Sequence, residues 1–348
     1  MSRHKSGTFR IRSPKPAPGP DQAKPRSWFR TASGTVLQDL EPHDFEQRLR
    51  EPGGFLWVDL DNGSPRQLAV LEQVFHLHTL VIEDVSSLNG RVKAEEYPGY
   101  LLTVVRAVRY VSETEDPHDI ETFNLSCVLG PNWLVTVHGA HAPGVETVWE
   151  RVRRSPDLLE RGAARTLHAV LDASVDGFFP IVDQLDEFIS SIEERVFVKF
   201  DDSALNDIFA VKRLVLQLKR HLAPQREVFN LLTNRPCGLV APDVQLWFRD
   251  VYDHVIRLNE ALDSYRDLVS STMESYLSQV SNRLNLVTKG LTVVATLSVP
   301  FVVVSGMWGM NFTHIPLSDW PYGFWVMFLI QLALGGALVW MLRRRGWL

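Results

Sequence analysis

FVVVSGMWGMN, Phe301 to Asn311, closes an apolar run that begins near Gly290, and a second run follows from Tyr322 to Leu342. Between Gly290 and Leu342 the only charged side chain is Asp319. Each run holds about 20 residues, enough α-helix to cross a hydrocarbon core about 30 Å thick. Two transmembrane helices are therefore expected, over 290–310 and 322–342, joined by an external loop over 311–321. The triplet Gly309, Met310, Asn311 falls where the first crossing ends.

Charge sets the expected orientation. Arg283 and Lys289 precede the first span, Arg343, Arg344 and Arg345 follow the second, and the link between spans has neither Lys nor Arg. The positive-inside rule then places both termini, including the basic 343–348 segment, in the cytoplasm of a multi-pass cell-membrane protein. Upstream lies one very long helical pattern from about Val244. Its apolar positions run Val251, Val255, Leu258, Leu262, Tyr265, Val269, Met273, Tyr276, Val280, Leu284, Val287 and Leu291. The mean step is about 3.6 residues, one face of a straight helix. From Trp247 to Gly306 such a helix is roughly 90 Å long. Its stripe must be covered by preceding helices or by copies of itself, or else the helix is a stalk that only lifts a domain off the membrane.

The rest of the chain reads as a soluble α+β protein. Two cysteines, Cys127 and Cys237, supply neither a disulfide framework nor metal-ligand spacing, which points to a reducing compartment. Residues 1–34 hold eight Lys or Arg and one acid, Asp21, so the remainder of this −5 chain carries −12. An acidic body suits a protein that gathers cations and argues against nucleic acid. Pro14, Pro16, Pro18, Pro20 and Pro25 mark 1–34 as a disordered basic tail.

From 35 to 160 an α/β domain is expected. Its strands are Phe55–Leu60, Tyr100–Tyr110, Phe123–Leu129 and Trp133–Val137, with helices at Arg66–Phe75 and Gly144–Arg153. Gly130, Pro131, Asn132 read as a hairpin turn, and the acidic stretch Ser112–Asp119 as a solvated connection. From 161 to 289 the chain is nearly all helix: Ala163 to about Phe197, Leu205–Leu222, Gln225–Thr233, then the stalk. His76, His78, His138 and His141 lack zinc-site spacing and read as surface or turn residues. No nucleophile stands beside a plausible base and no phosphate loop appears, so nothing supports an enzyme.

With Gly309, Met310, Asn311 between two C-terminal spans and after a long amphipathic helix, the chain resembles the CorA family of magnesium and cobalt channels. The resemblance covers most of the chain from about residue 55. It implies a funnel-shaped homopentamer whose first span lines the pore. The implied pore and gate residues are Asn285, Thr288, Leu291, Ala295, Val299, Val302 and Gly306, leading out to a filter of Gly309, Met310 and Asn311. A ring of Asn311 amides would hold a hydrated Mg2+ through its water shell, weakly enough to release it; the plainer reading is a helix-capping Asn. Leu291 and Val299 would gate by dewetting. The sequence departs from the family at Thr288, commonly a large apolar residue, and at Val302, commonly threonine. In the outer link IPLS (Ile315–Ser318) replaces MPEL.

The same resemblance implies intracellular Mg2+ as regulator as well as cargo. LVIEDV (Leu80–Val85) and FRDVYDH (Phe248–His254) match the segments that supply an acid pair between subunits, here Asp84 and Asp250, with Asp253 and Glu274 weaker metal candidates. Two such charges 4 Å apart repel by about 4 kcal/mol at an effective dielectric near 20, which a bridging ion offsets. Two rivals stand: a proton-coupled zinc transporter of the same superfamily, and a membrane-tethered sensor that transports nothing.

Overall fold

A run that is apolar at every position but Asp59, as in Phe55–Leu60, has no solvent face to offer and belongs inside a sheet covered on both sides. That is where it lies in the computed structural model, which describes residues 10–12, 24–87, 90–110, 119–139, 141–199, 203–310, 316–317 and 320–347. The chain divides into two units, Met1–Met273 and Glu274–Leu348.

The first unit is built on an eight-stranded mixed sheet. The strands are β1 (Arg10–Arg12), β2 (Arg26–Arg30), β3 (Val36–Gln38), β4 (Phe55–Asp61), β5 (Lys93–Tyr97), β6 (Tyr100–Tyr110), β7 (Asp119–Leu129) and β8 (Trp133–His138). Their order is β3-β2-β4-β8-β7-β6-β5, with β1 pairing in parallel to the start of β7. β4 and β8 run parallel, Val58 opposite Val135, and β7 and β8 form the hairpin closed by Gly130 N to Trp133 O at 2.8 Å.

Helices α1 (Pro42–Leu49), α2 (Pro65–Gln73) and α3 (Thr79–Ser86) bury Phe45, Leu71 and Val81 with Leu56, Val58 and Leu60 of β4. On the other face, Trp57 meets Trp149 of α4 (Pro143–Arg154) at 4.9 Å between ring centroids. Successive residues of β4 thus serve opposite layers, as a period of two requires.

Helices α5 (Asp157–Glu160), α6 (Ala163–Asp176), α7 (Phe179–Glu194), α8 (Ala204–Leu222) and α9 (Gln225–Asn234) lead to α10, Pro242–Trp308. At 67 residues α10 crosses from the first unit into the second. It contains Pro300, tolerated because residues within a span can be re-satisfied by neighbouring groups. Within the second unit α10 is followed by α11, Gly323–Arg344. Both helices are long and apolar enough to cross a membrane, by length and composition.

Three expectations are corrected. The tail does not extend to residue 34: β2 pairs with both β3 and β4, and Trp28 and Phe29 are buried. The last proline of the run is Pro25, and the apolar side chains that can offset ordering begin just after it. The helix expected from Ala163 to Phe197 is two, because Gly177 caps α6 and Pro180 sits in the first turn of α7; a π-helical turn, Arg195–Lys199, then ends it. His138 is not a surface residue; it is buried on β8. The acidic link's residues 111–118 lie outside the described residues.

Candidate functional site

The two apolar helices form an antiparallel hairpin. Lys289 Nζ donates to the carbonyl of Gly346 at 2.7 Å, bringing the two basic clusters to one end. Nearer the other end Gln331 Nε2 donates to Ser305 Oγ at 3.2 Å. The approach to α11 is tight at the described residues: a Cβ on Gly323 would lie 1.9 Å from the Leu317 carbonyl oxygen, and Leu317 itself has φ +72°. α10 stops at Trp308, Gly309 N still reaching Ser305 O at 3.0 Å, and Gly309 and Met310 are exposed at its end. Asn311 lies outside the described residues, as do 312–315, Ser318 and Asp319.

Along the membrane part of α10 exposure is one-sided. Lys289, Val293, Thr296, Leu297, Pro300, Val304 and Trp308 are shielded, whereas Asn285, Thr288, Leu291, Ala295, Val299, Val302 and Gly306 are all exposed. Nine residues turn a helix through about 180°, so Val302 points away from Val293. The residues matched to a pore thus share the face that α11 leaves bare. Leu291 is 70% exposed and Val302 69%.

The two regulatory candidates sit on α3 and α10. Asp84 is engaged by Lys93 Nζ at 2.7 Å, which also binds Glu95 at 2.8 Å. Asp250 is exposed, with its Oδ1 4.0 Å from His254 Nε2. Asp253 and Glu274 are exposed and, among the described residues, make no ion pair.

Sequence reading missed what lies behind Asp250. Asp172 and Asp176 of α6 and His254 of α10 bring ligand atoms within 4.8 Å of one another. Residues i and i+4 on α6 present both carboxylates to one side. His254 Nδ1 makes no hydrogen bond and lies 3.5 Å from Asp176 and 4.0 Å from Asp172. Burial first, then the neighbouring Asp176 charge, raises the Asp172 carboxyl above its usual range. A cation would relieve both effects. Two carboxylates and an imidazole suit cobalt or nickel better than all-oxygen magnesium. The only sequence signal was the i, i+4 acid pair, since His254 comes from a different helix.

Nearby, His168 is held neutral. Its Nε2 donates to the Trp247 carbonyl at 3.1 Å and its Nδ1 accepts from Arg165 Nη1 at 3.1 Å. Burial, then the Arg165 charge, pulls it down to about 4. Arg165 lies flat over Trp247, 3.6 Å from the ring centroid.

A second missed constellation is structural. Asp59 on β4 is buried, yet it accepts from Thr136 Oγ1 at 2.6 Å and from Arg26, and meets His138 Nε2 at 3.0 Å. His138 Nδ1 faces the Gly139 carbonyl at 3.0 Å, so both ring nitrogens meet acceptors, the arrangement of an imidazolium. Burial alone would raise Asp59; His138 and Arg26 instead hold it down to about 2. Arg26 continues to Glu146 at 2.9 Å and tethers α4 to the sheet.

The pattern of the CorA-like Mg2+ transporter protein family matches residues 52–344. YfjQ of Bacillus subtilis is 31% identical over 303 residues, 86% of this chain and 92% of its own. The cobalt/magnesium transport protein CorA of Thermotoga maritima is 29% identical over 277 residues, 79% of this chain and 78% of its own. Among solved structures, the CorA magnesium transporter from Methanocaldococcus jannaschii matches with a TM-score of 0.80 at 19% identity, covering 94% of this chain and 99% of that one. At that identity the structural match speaks for the fold. With a domain-wide match to the family and a relative above 30% identity across most of both chains, this chain belongs to the CorA-like Mg2+ transporters.

Proposed function

We propose that the chain assembles with copies of itself into a divalent-cation channel for Mg2+ and Co2+, with both termini in the cytoplasm. The observation that carries this is the bare face of α10. Leu277, Leu284 and Val287 are 54%, 62% and 66% exposed, and all precede Lys289, so lipid does not reach them. Exposed apolar side chains in series outside the bilayer call for a protein partner. Two spans alone enclose no water-filled path. The same face, continued through Leu291, Val299 and Val302, would line a path shared among copies, ending at Gly309, Met310 and Asn311. Five copies is the family's number.

Regulation follows from the acids. Internal Mg2+ bridging Asp84 of one subunit to Asp250 of the next would favour a closed assembly, and its loss would free the stalks. Asp84 carries a standing competitor in Lys93, so the ion must displace an ammonium there. The cluster of Asp172, Asp176 and His254 beside Asp250 supplies a second position for a divalent ion, with a nitrogen that favours Co2+.

The deciding experiment counts subunits in detergent, then follows Mg2+ entry into liposomes holding the purified chain. An oligomer that conducts Mg2+ without a pH gradient is expected. A monomer, or vesicles impermeable to every divalent cation, would leave the tethered-sensor reading. Flux that needs a proton gradient would favour the zinc-transporting branch.

A further inference from the structure

Gln331 is the only polar side chain of α11 before Arg343, apart from the ring nitrogens of its tryptophans. A carboxamide inside hydrocarbon must find partners, and such residues mark functional positions more often than packing ones. Its Nε2 donates to Ser305 Oγ at 3.2 Å and reaches the Phe301 carbonyl at 3.5 Å. One turn along α11, Gly335 is the notch for the Phe301 ring: a Cβ there would stand 2.6 Å from Phe301 Cζ. Phe301 and Ser305 are four residues apart and share one flank of α10.

Val302 and Gly306, the outermost residues of the bare face, follow Phe301 and Ser305 directly, about 100° round the helix. Ser305 is also four residues before Gly309 and accepts its backbone N–H. Whatever fixes the rotation of the 301–305 turn therefore fixes where Gly309, the first residue of the triplet, faces. Apolar contacts between two helices index rotation weakly, because many angles bury similar area. A directed hydrogen bond and a ring in a glycine notch do not share that freedom.

We propose that Gln331 is a positioning residue for ion selection: through Ser305 and Phe301 it sets the rotation of the last turns of α10, and with it the presentation of the filter. This rests on the channel reading above. Gln331 touches no ion. Its effect is on discrimination rather than on assembly.

The test uses the full chain in liposomes, with Mg2+ and Ca2+ entry measured separately and subunits counted in detergent. Q331L is expected to lower the Mg2+ over Ca2+ preference about threefold to tenfold, the size of one intramembrane hydrogen bond, with the subunit count unchanged. S305A should shift the preference in the same direction, and the double variant should be no worse than Q331L, because the two share one interaction. Should Q331L assemble poorly, S305A reports the same tie from the other helix. Unchanged preference in S305A and Q331L, or losses that add, would overturn the assignment while leaving a conducting wild type intact. A wild type that conducts nothing overturns the channel itself.

Discussion

The two halves of α10 carry one periodicity and meet opposite fates. Val251, Val255, Leu258, Leu262 and Val269 are at most 3% exposed, whereas Leu284, Val287, Leu291, Val299 and Val302 are 56–70% exposed. In the first half, α6 meets the stripe's helix at Phe248 through His168, α7 at His254 through Phe179, and α8 at Asp263 through Lys219. In the second half, among the described residues of that unit, α11 is the helix beside α10, and it covers the side opposite the stripe. A continuous hydrophobic pattern is thus no guide to what covers it. The first stretch is an internal core, and the second is a surface that, on the channel reading proposed above, lipid and further copies would cover.

The largest effect expected from this contrast is on folding. Leu258→Ala should destabilise the soluble unit by about 2–5 kcal/mol, the range for deleting a packed core side chain. Leu284→Ala should leave denaturant unfolding of that unit within about 0.5 kcal/mol and shift the subunit distribution toward smaller species. Equal losses of unfolding free energy in the two variants would erase the distinction between core and interface.

Next comes metal. With divalent ion at about 100 times its dissociation constant, binding to the native state alone adds about 2.7 kcal/mol. Co2+ should therefore raise the melting temperature of the soluble unit. The gain should vanish in the Asp172→Asn, Asp176→Asn double variant and shrink in His254→Ala, while Asp253→Asn keeps it. A Co2+ response that survives the double variant would remove the cluster from the regulatory scheme. Asp250→Lys, tested in liposomes, should leave flux less inhibited by internal Mg2+.

At the outer end, Asn311→Ala should lower Mg2+ selectivity about tenfold if its amides form the proposed ring, whose neutral oxygens would hold the hydrated ion weakly. The subunit count should not change. Unaltered selectivity would return Asn311 to the role of a helix cap.

What the sequence made legible was what local periodicity and composition encode. The two spans, the strands from Phe55 to Val137 and the stalk stripe are patterns within single segments. What it hid was assembled from segments far apart. His254 reaches Asp172 and Asp176 only because α6 lies along α10, and no spacing rule links positions about 80 apart. His138 looked like a loop residue because its partners, Asp59 and Gly139, satisfy both ring nitrogens only once β4 and β8 pair. β2 was lost in a proline-rich tail since its five residues, RSWFR, put two basic side chains beside the buried Trp28 and Phe29. Arg26 is tolerated at the sheet because Asp59 and Glu146 meet it there.

Acid should separate the two halves of α10 once more, by the smallest effect near neutral pH. His168 is held at about 4 by burial and then by Arg165, against its hydrogen bond to the Trp247 carbonyl and the charge of Asp250. An unfolded histidine titrates near 6.5. Between those values the unfolded chain binds the proton and the folded chain does not, so unfolding free energy falls as pH drops from about 6.5 to about 4. Above about 6.5 the contribution is whole. His221, lowered to about 4 by burial and then by Arg106 and Arg220, adds to the same limb. His168→Gln keeps a donor for the Trp247 carbonyl and removes the titration. It should flatten this limb for the soluble unit while changing stability at pH 8 little. The membrane part of α10, Gly290 to Trp308, has no histidine to protonate, so its association should not follow the same curve. If the subunit count of the unsubstituted chain tracked pH as steeply as its unfolding does, and both flattened together in His168→Gln, the two halves would be one cooperative structure after all.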